Sequence, residues 1–259
     1  MKAFVVTGTT QGIGRAIAEA VVAAGDQLLS LSRAPNKVDG LWHNIECDLG
    51  RTASIRTNLQ KLIQTVAADR VTELILINNA GVLDPIGSLE DASDEQILSH
   101  VKVNQAAPAM LMSAFIGLTQ YDAARRRIIN ISSGAARHPY AGLAMYCGSK
   151  AALELMTLCV AAEQQHRNNP VTVCSVSPGK VETGMQRQIR QSDKAMIPSQ
   201  PDFIKAREQG DLLTPGQVAR MLLALDRAGE FKNGGLYDLR STILEGRRLS
   251  IQPIQPVLL

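Results

Sequence analysis

The feature that most constrains this chain is the run Thr7-Gly8-Thr9-Thr10-Gln11-Gly12-Ile13-Gly14, which follows a short apolar, strand-like segment and leads directly into a helical pattern. Glycines at a strand-to-helix turn let the backbone bend tightly and come close to an anion. The helix start then offers N–H groups and the positive end of its dipole. Such a turn is suited to the pyrophosphate of a dinucleotide, with Gly8, Thr10, Gln11, Gly12, Ile13 and Gly14 as the expected contacts. The alternative is a purely structural turn. The spacing is G-x-x-x-G-x-G, not the general G-x-G-x-x-G.

The rest of the chain extends the same strand–helix alternation. Strand patterns fall at 3–7, 27–31, 41–47, 74–78, 127–132, 171–177 and 235–239, and helical patterns at 15–24, 52–68, 93–118, 145–166 and 215–227. Several strands read as continuous apolar runs, as required when helices cover both faces of a sheet. The expected fold is α/β: a doubly wound Rossmann fold whose mostly parallel seven-stranded sheet carries helices on both faces. Nothing resembling a linker or repeat interrupts the alternation, so residues 1–259 read as a single dinucleotide-binding catalytic domain. One excursion, about 181–211, is polar and contains Pro198 and Pro201. It is too long for an ordinary connection and is expected to carry short helices and serve as a substrate lid. The tail from Gly246, with Pro253 and Pro256, is expected to be an extended or poorly ordered terminus.

Composition removes several classes of function. A net charge of +3 with 3% aromatic residues does not suit nucleic-acid binding, and the run Arg125-Arg126-Arg127 reads as a solvated turn before a strand. Cys47, Cys147, Cys159 and Cys174 are scattered without C-x-x-C spacing, which points to reduced thiols and no metal site. No apolar stretch approaches the roughly 20 residues of a membrane span, and the start of the chain lacks a signal pattern. The expectation is a soluble cytoplasmic protein with no membrane partner.

The end of the second strand selects the dinucleotide. An acidic residue there usually holds a ribose 2′-hydroxyl, but this chain has Ser32 in that place, followed by Arg33. A guanidinium pairs with a 2′-phosphate, which favours NADP(H) over NAD(H). The alternative is an Arg33 that is merely a surface residue in an enzyme indifferent to the cofactor. Asp48, with Leu49 beside it, ends the third strand and is the expected acceptor for the adenine amino group.

Tyr146 and Lys150 are four residues apart at the start of a long predicted helix, hence on one face. A free phenol has a pKa near 10, roughly three units too high for neutral proton exchange. An adjacent ammonium and a positive nicotinamide ring are expected to lower it and make acid–base work feasible. Ser133 ends the fifth strand and Asn78-Asn79-Ala80-Gly81 the fourth, both at the carboxyl end of the parallel sheet where ligands bind. Each has a plain reading as a turn or cap when taken alone.

Together these motifs resemble the short-chain dehydrogenase/reductase family over nearly the whole chain. The match includes Ser177-Pro178-Gly179-Lys180-Val181-Glu182-Thr183, similar to the family's P-G-x-V-x-T segment at the nicotinamide. The resemblance implies a catalytic tetrad of Asn104, Ser133, Tyr146 and Lys150, with Asn104 holding a helix kink and a water in a proton relay. It implies cofactor contacts from Asn79, Ala80, Gly81, Tyr146, Lys150, Pro178, Gly179, Val181 and Thr183, and a homodimer. Within the family, Thr7-Gly-Thr-Thr-Gln-Gly12, Ser132-Ser-Gly-Ala135, Met185-Gln-Arg-Gln-Ile-Arg190 and Gly210-Asp-Leu-Leu-Thr-Pro215 resemble the benzil and sepiapterin reductases. Asn233-Gly-Gly-Leu-Tyr-Asp238 departs from the V-D-G-G pattern of tetrameric acyl-carrier-protein reductases.

The implied activity is NADPH-dependent reduction of a ketone, of vicinal-diketone or dicarbonyl type, with no metal. Other alcohol, sugar or 3-oxoacyl dehydrogenases share the scaffold. A non-catalytic NADP(H) sensor would need the glycine turn and Arg33 but not the tetrad. Met185, Met196, Ile197 and Phe203 are candidates for an apolar lid, or equally for packing of the excursion on the body. Cys147 reads as a small packed residue without redox work.

Overall fold

A computed structural model describes residues 1–34, 42–66, 70–120 and 124–240. Its seven strands are β1 (Lys2–Thr7), β2 (Gln27–Ser32), β3 (Trp42–Glu46), β4 (Glu73–Asn78), β5 (Arg125–Ile131), β6 (Val171–Ser177) and β7 (Leu236–Asp238). They form one sheet in the order β3-β2-β1-β4-β5-β6-β7, and every pairing is parallel. Among the described residues the α-helices are α1 (Gly12–Ala23), α2 (Ile55–Ile63), α3 (Asp94–Val101), α4 (Ala107–Leu118), α5 (Ala144–Gln164), α6 (Gly184–Gln191), α7 (Gln200–Glu208) and α8 (Pro215–Arg227).

Side chains alternate across the sheet with period two, so adjacent apolar residues feed opposite cores. Ala3 and Val5 join Leu59, Leu111 and Phe115 from α2 and α4 on one face. Phe4 and Val6 join Ile17, Val21, Val218 and Leu222 from α1 and α8 on the other. The expected doubly wound architecture is therefore present.

Strand order reverses between β1 and β4, and a crevice opens at their carboxyl ends. The Thr7 hydroxyl oxygen closes the bottom of that crevice by accepting from the backbone N–H groups of Asn79 and Ala80, both at 3.0 Å. Asn79 returns a bond from Nδ2 to the Thr7 carbonyl at 2.9 Å.

Several boundaries differ from expectation. The helix expected at 93–118 is three pieces: α3, a π-helical turn over Lys102–Ala106, and α4. The reason is local. Pro108 stands four residues after Asn104, lacks the N–H that would bond the Asn104 carbonyl, and crowds that carbonyl with its ring. The helix expected from 52 opens with a 3₁₀ turn at Thr52–Ser54, and α2 ends at Ile63; residues 67 and 68 lie outside the described residues. So do Leu41 and the tail from Gly246.

The arginine run is not a solvated turn. It begins β5, where Arg125 lies 3.2 Å from Glu73, Arg126 is buried and donates to Thr119 Oγ1, and Arg127 pairs with the fully buried Asp226. Charge counting along the sequence could not show this, because the acidic partners come from β4 and α8.

The excursion does contain two short helices, α6 and α7. Its ends are tied together by a bridge between Val181 and Leu213, with Glu182 N–H donating to the Leu213 carbonyl and Leu213 N–H to the Lys180 carbonyl, both at 2.9 Å.

Candidate active site

The carboxyl ends of β1, β4, β5 and β6 open into a cleft of about 420 Å³. At one end Gly8, Thr10, Gln11, Gly12 and Ile13 line it beside Asn79, Ala80 and Gly81. Gly8 and Gly12 have φ of 71° and 59°, in the left-handed region that side-chain-bearing residues avoid. Gly14 lies outside the lining. A Cβ there would collide with the Gly8 carbonyl oxygen and Asn79 Nδ2, so its absence lets α1 seat against the β1–β4 crevice.

Ser32, Arg33, Asp48 and Leu49 line the far rim. Ser32 is buried and its hydroxyl is engaged within the sheet, 2.7 Å from the Ala34 carbonyl and 2.9 Å from Asn44 Oδ1. Arg33 is exposed and makes no ion pair or hydrogen bond among the described residues. It is therefore the group at this strand end with donors to spare. Asp48 is exposed and accepts from Gly50 N–H at 3.0 Å.

Ser133, Tyr146 and Lys150 line the same cleft, together with Pro178, Gly179, Val181 and Thr183. Tyr146 and Lys150 share one face of α5, and the ammonium nitrogen is 5.8 Å from the phenol ring centroid. Lys150 is buried and donates to the Ile131 carbonyl at 2.8 Å. Burial pulls its pKa down to about 8, opposed by the charge of Glu154.

Tyr146 departs from expectation. Burial raises its phenol above the ordinary value, and the hydrogen bond from Ser133 offsets this only in part. The protein's own groups thus hold the phenol in its protonated form. Desolvation is the largest influence on this phenol, and no local sequence pattern reports it.

Asn104 lies behind the cleft, not in it. It sits on the π turn, and its amide brackets Val82, accepting from the Val82 N–H and donating to the Val82 carbonyl, both at 2.8 Å. The regular helix is thus interrupted at Asn104, whose side chain contacts the Val82 backbone.

Beside Ser133 and Tyr146 the wall turns apolar. Leu83, Leu143, Ile189, Ile197 and Phe203 form a small core of their own, joined by Tyr140 and Met185. The Tyr140 and Phe203 rings lie 5.7 Å apart. Of the lid candidates, Met185 and Phe203 line the cleft, Ile197 is fully buried beneath it, and Met196 is 45% exposed. Cys147 packs at the edge of this cluster, and all four cysteines are free.

Two polar atoms on the lining are buried without a hydrogen-bond partner among the described residues: Ser177 Oγ and Gln186 Oε1. Unpaired buried groups of this kind cost about 1–3 kcal/mol each, which suits a wall shaped for a polar ligand. With the glycine turn and Arg33, they make the cleft fit a dinucleotide. Among the described residues no His, Cys, Asp and Glu cluster could hold a metal, and no helix is long and apolar enough to cross a membrane.

Glu154, His100 and the part of the apolar wall made by Leu83, Tyr140 and Leu143 do not stand out in the sequence. Glu154 follows Lys150 by four residues and His100 precedes Asn104 by four, a helical spacing that could have flagged both. Leu83, Tyr140 and Leu143 carry no local signal.

Comparison with known proteins bears on this geometry. A family described as short chain dehydrogenase matches residues 2–194. The benzil reductase ((S)-benzoin forming) of Bacillus cereus is 36% identical over 244 residues, covering 90% of this chain and 97% of that protein. The sepiapterin reductase of Meriones unguiculatus is 27% identical over 253 residues, covering 90% and 94%. Among solved structures, the KRED1-Pglu enzyme superposes with a TM-score of 0.79 at 25% identity, covering 91% of this chain and all of that one. The chain therefore belongs to the short-chain dehydrogenase/reductase family, as an oxidoreductase on a fold that holds a nicotinamide cofactor.

Proposed function

We propose that the protein is an NADPH-dependent carbonyl reductase that converts a ketone with bulky apolar substituents, of the vicinal-diketone or dicarbonyl kind, to its alcohol. The observation that carries this reading is the convergence of Ser133, Tyr146 and Lys150 on one cleft, directly beside the apolar wall of Leu83, Leu143, Met185 and Phe203. The likeness to benzil reductase over nearly the full chain supports the diketone class.

When bound, the cofactor supplies hydride to the carbonyl carbon. Tyr146, kept protonated by burial, gives its proton to the carbonyl oxygen. Ser133, whose hydroxyl faces the same phenol, would turn its one proton to that oxygen as negative charge develops. Lys150 would hold the ribose. The glycine turn and α1 start would hold the pyrophosphate, and Arg33 the 2′-phosphate. Phe203 and Met185 exclude water from the reacting face.

The test is loss of NADPH absorbance over a panel of diketones, pterins, 3-oxoacyl thioesters and sugars, repeated with NADH. Preference for aryl diketones with NADPH supports the reading, whereas turnover of sugars or thioesters alone ends it. We further propose a homodimer formed through α4 and α5, where Met110 and Leu155 are 41% and 63% exposed. Sedimentation at the monomer mass of 27.9 kDa would remove that proposal.

A further inference from the structure

Behind the cleft, His100 occupies the last turn of α3 with only 1% of its surface exposed. Every polar atom of the ring is engaged. Nδ1 lies 2.6 Å from the Asp84 carbonyl, and Nε2 lies 3.0 Å from Asn104 Nδ2 and 3.1 Å from Ser149 Oγ. A carbonyl only accepts, so Nδ1 carries the hydrogen, and in a neutral ring Nε2 is then an acceptor. The Asn104 amide donates to it. This fixes the orientation of that amide, because Nδ2 is also the group that donates to the Val82 carbonyl while Oδ1 accepts from the Val82 N–H. Ser149, fully buried, has one hydroxyl proton to give to Nε2 or to the Tyr146 carbonyl at 2.8 Å.

The arrangement reaches the catalytic lysine through one residue. A point just off the Gly81 Cα lies 3.4 Å from Asn104 Oδ1 and 3.8 Å from Lys150 Nζ. Val82, which Asn104 brackets, lines the cleft itself. The geometry points to His100 as a positioning residue for the proposed reaction: its neutral imidazole holds the Asn104 amide, and through it the Gly81–Val82 wall beside Lys150. The inference rests on the reductase reading only for its kinetic consequence.

A proton added to the ring reverses the contact. Nε2–H then faces the Asn104 Nδ2 donors, and its acceptors become Ser149 Oγ and the Met145 carbonyl. The charged groups facing the ring are Lys150 from α5, which disfavours a second positive charge, and Asp84 from the segment after β4, which favours it. Burial is the largest influence and lowers the His100 pKa below 6.5. The reversal therefore falls on the acid side of neutrality, as a loss of turnover when His100 charges.

Two arms test this. Histidine-labelled protein, read by long-range 1H–15N NMR, is expected to show the Nδ1–H tautomer for His100 at pH 7.5, identified by its absence in His100→Gln. The Asn104 side-chain amide should titrate with the same midpoint as that ring in the unaltered protein and be independent of pH in His100→Gln. An Nε2–H tautomer, or an Asn104 amide that ignores the ring, overturns the proposal whether or not any ketone turns over. In the kinetic arm, His100→Leu removes the acceptor at 3.0 Å and leaves that Asn104 donor only the Ser149 hydroxyl oxygen at 3.3 Å, and kcat should fall about tenfold with NADPH affinity little changed. His100→Gln, which keeps an acceptor near the Nε2 position, should recover most of kcat and lose the acid limb of the pH profile. An acid limb that persists unchanged in His100→Gln, or full kcat in His100→Leu, defeats the positioning role. Absence of any ketone reduction in the unaltered protein defeats the reductase reading instead, and the NMR arm still decides this one.

Discussion

Glu154 stands one turn beyond Lys150 on the same face of α5, and its charge holds the Lys150 pKa up against the burial that draws it down to about 8. Both side chains are buried, and Glu154 also accepts from the Ser132 hydroxyl at 2.8 Å and from Arg137 at 3.2 Å. Glu154→Gln keeps the acceptor for Ser132 and removes the charge. The ammonium is then lost at lower pH, so the alkaline limb of kcat/KM should move toward neutrality. At pH 8 the loss should be roughly two- to tenfold. A variant whose alkaline limb coincides with that of the unaltered enzyme would show that Glu154 does not tune Lys150.

Lys150 also predicts a stability profile. Its folded value of about 8 lies below the ordinary 10.5, so the unfolded chain binds more protons between these limits. The cost of burying the ammonium is fully present below pH 8 and is relieved as pH rises toward 10.5. Lys150→Met should abolish turnover and weaken NADPH binding, yet raise Tm at pH 7 by about 2–4 °C. That gain should shrink at pH 9.5. Equal Tm differences at the two pH values would refute the linkage.

Tyr146→Phe preserves the ring and deletes the proton. A positioned general acid contributes roughly 10²–10⁴-fold, so kcat should drop by about that range while NADPH affinity holds. Retention of more than about half of kcat would place the proton donor elsewhere.

How much of this was legible from the sequence differs by residue. The glycine turn from Gly8 and the pair Tyr146 and Lys150 are short-range patterns whose geometry follows from one turn or one helix, and the structure brings Gly8, Gly12, Tyr146 and Lys150 to the same cleft. Arg126 and Arg127 were misread because their partners Thr119 and Asp226 meet them only through the sheet. Pro108 carried a local signal for the break after α3 that the apolar periodicity of 93–118 obscured. Of the apolar wall, Met185, Ile197 and Phe203 were legible as one apolar set in the excursion, whereas Leu83 and Leu143 come from two other segments and meet them only in the folded chain.

Arg33 is expected to decide the cofactor preference of the proposed reaction. A charge-assisted contact contributes about 1.5–3 kcal/mol, so Arg33→Ala should weaken NADPH roughly 10–150-fold and leave NADH nearly unchanged. Adding Ser32→Asp introduces repulsion against the phosphate and an acceptor for ribose hydroxyls, which should reverse the preference. The buried Ser32 hydroxyl contacts Asn44 Oδ1 and the Ala34 carbonyl, so the double variant should also lose stability unless the Asn44 amide turns over. Lys37, a second cation close in sequence, lies outside the described residues, and Lys37→Ala is the control. A double variant that still favours NADPH tenfold in kcat/KM would end the assignment.

The bridge between Val181 and Leu213 has a consequence for how such a protein diversifies. Because the segment carrying α6 and α7 leaves the body and returns at one hydrogen-bonded point, its two ends are fixed whatever lies between them. Changing the length of a loop whose ends are already held together costs little closure entropy. The cap is thus expected to tolerate exchange. Phe203, Ile197 and Met185 all lie between those fixed ends, so replacing residues 184–212 should alter the ketone range of the proposed reaction while Val181, Thr183, the β1–β4 crevice and α5 stay in place.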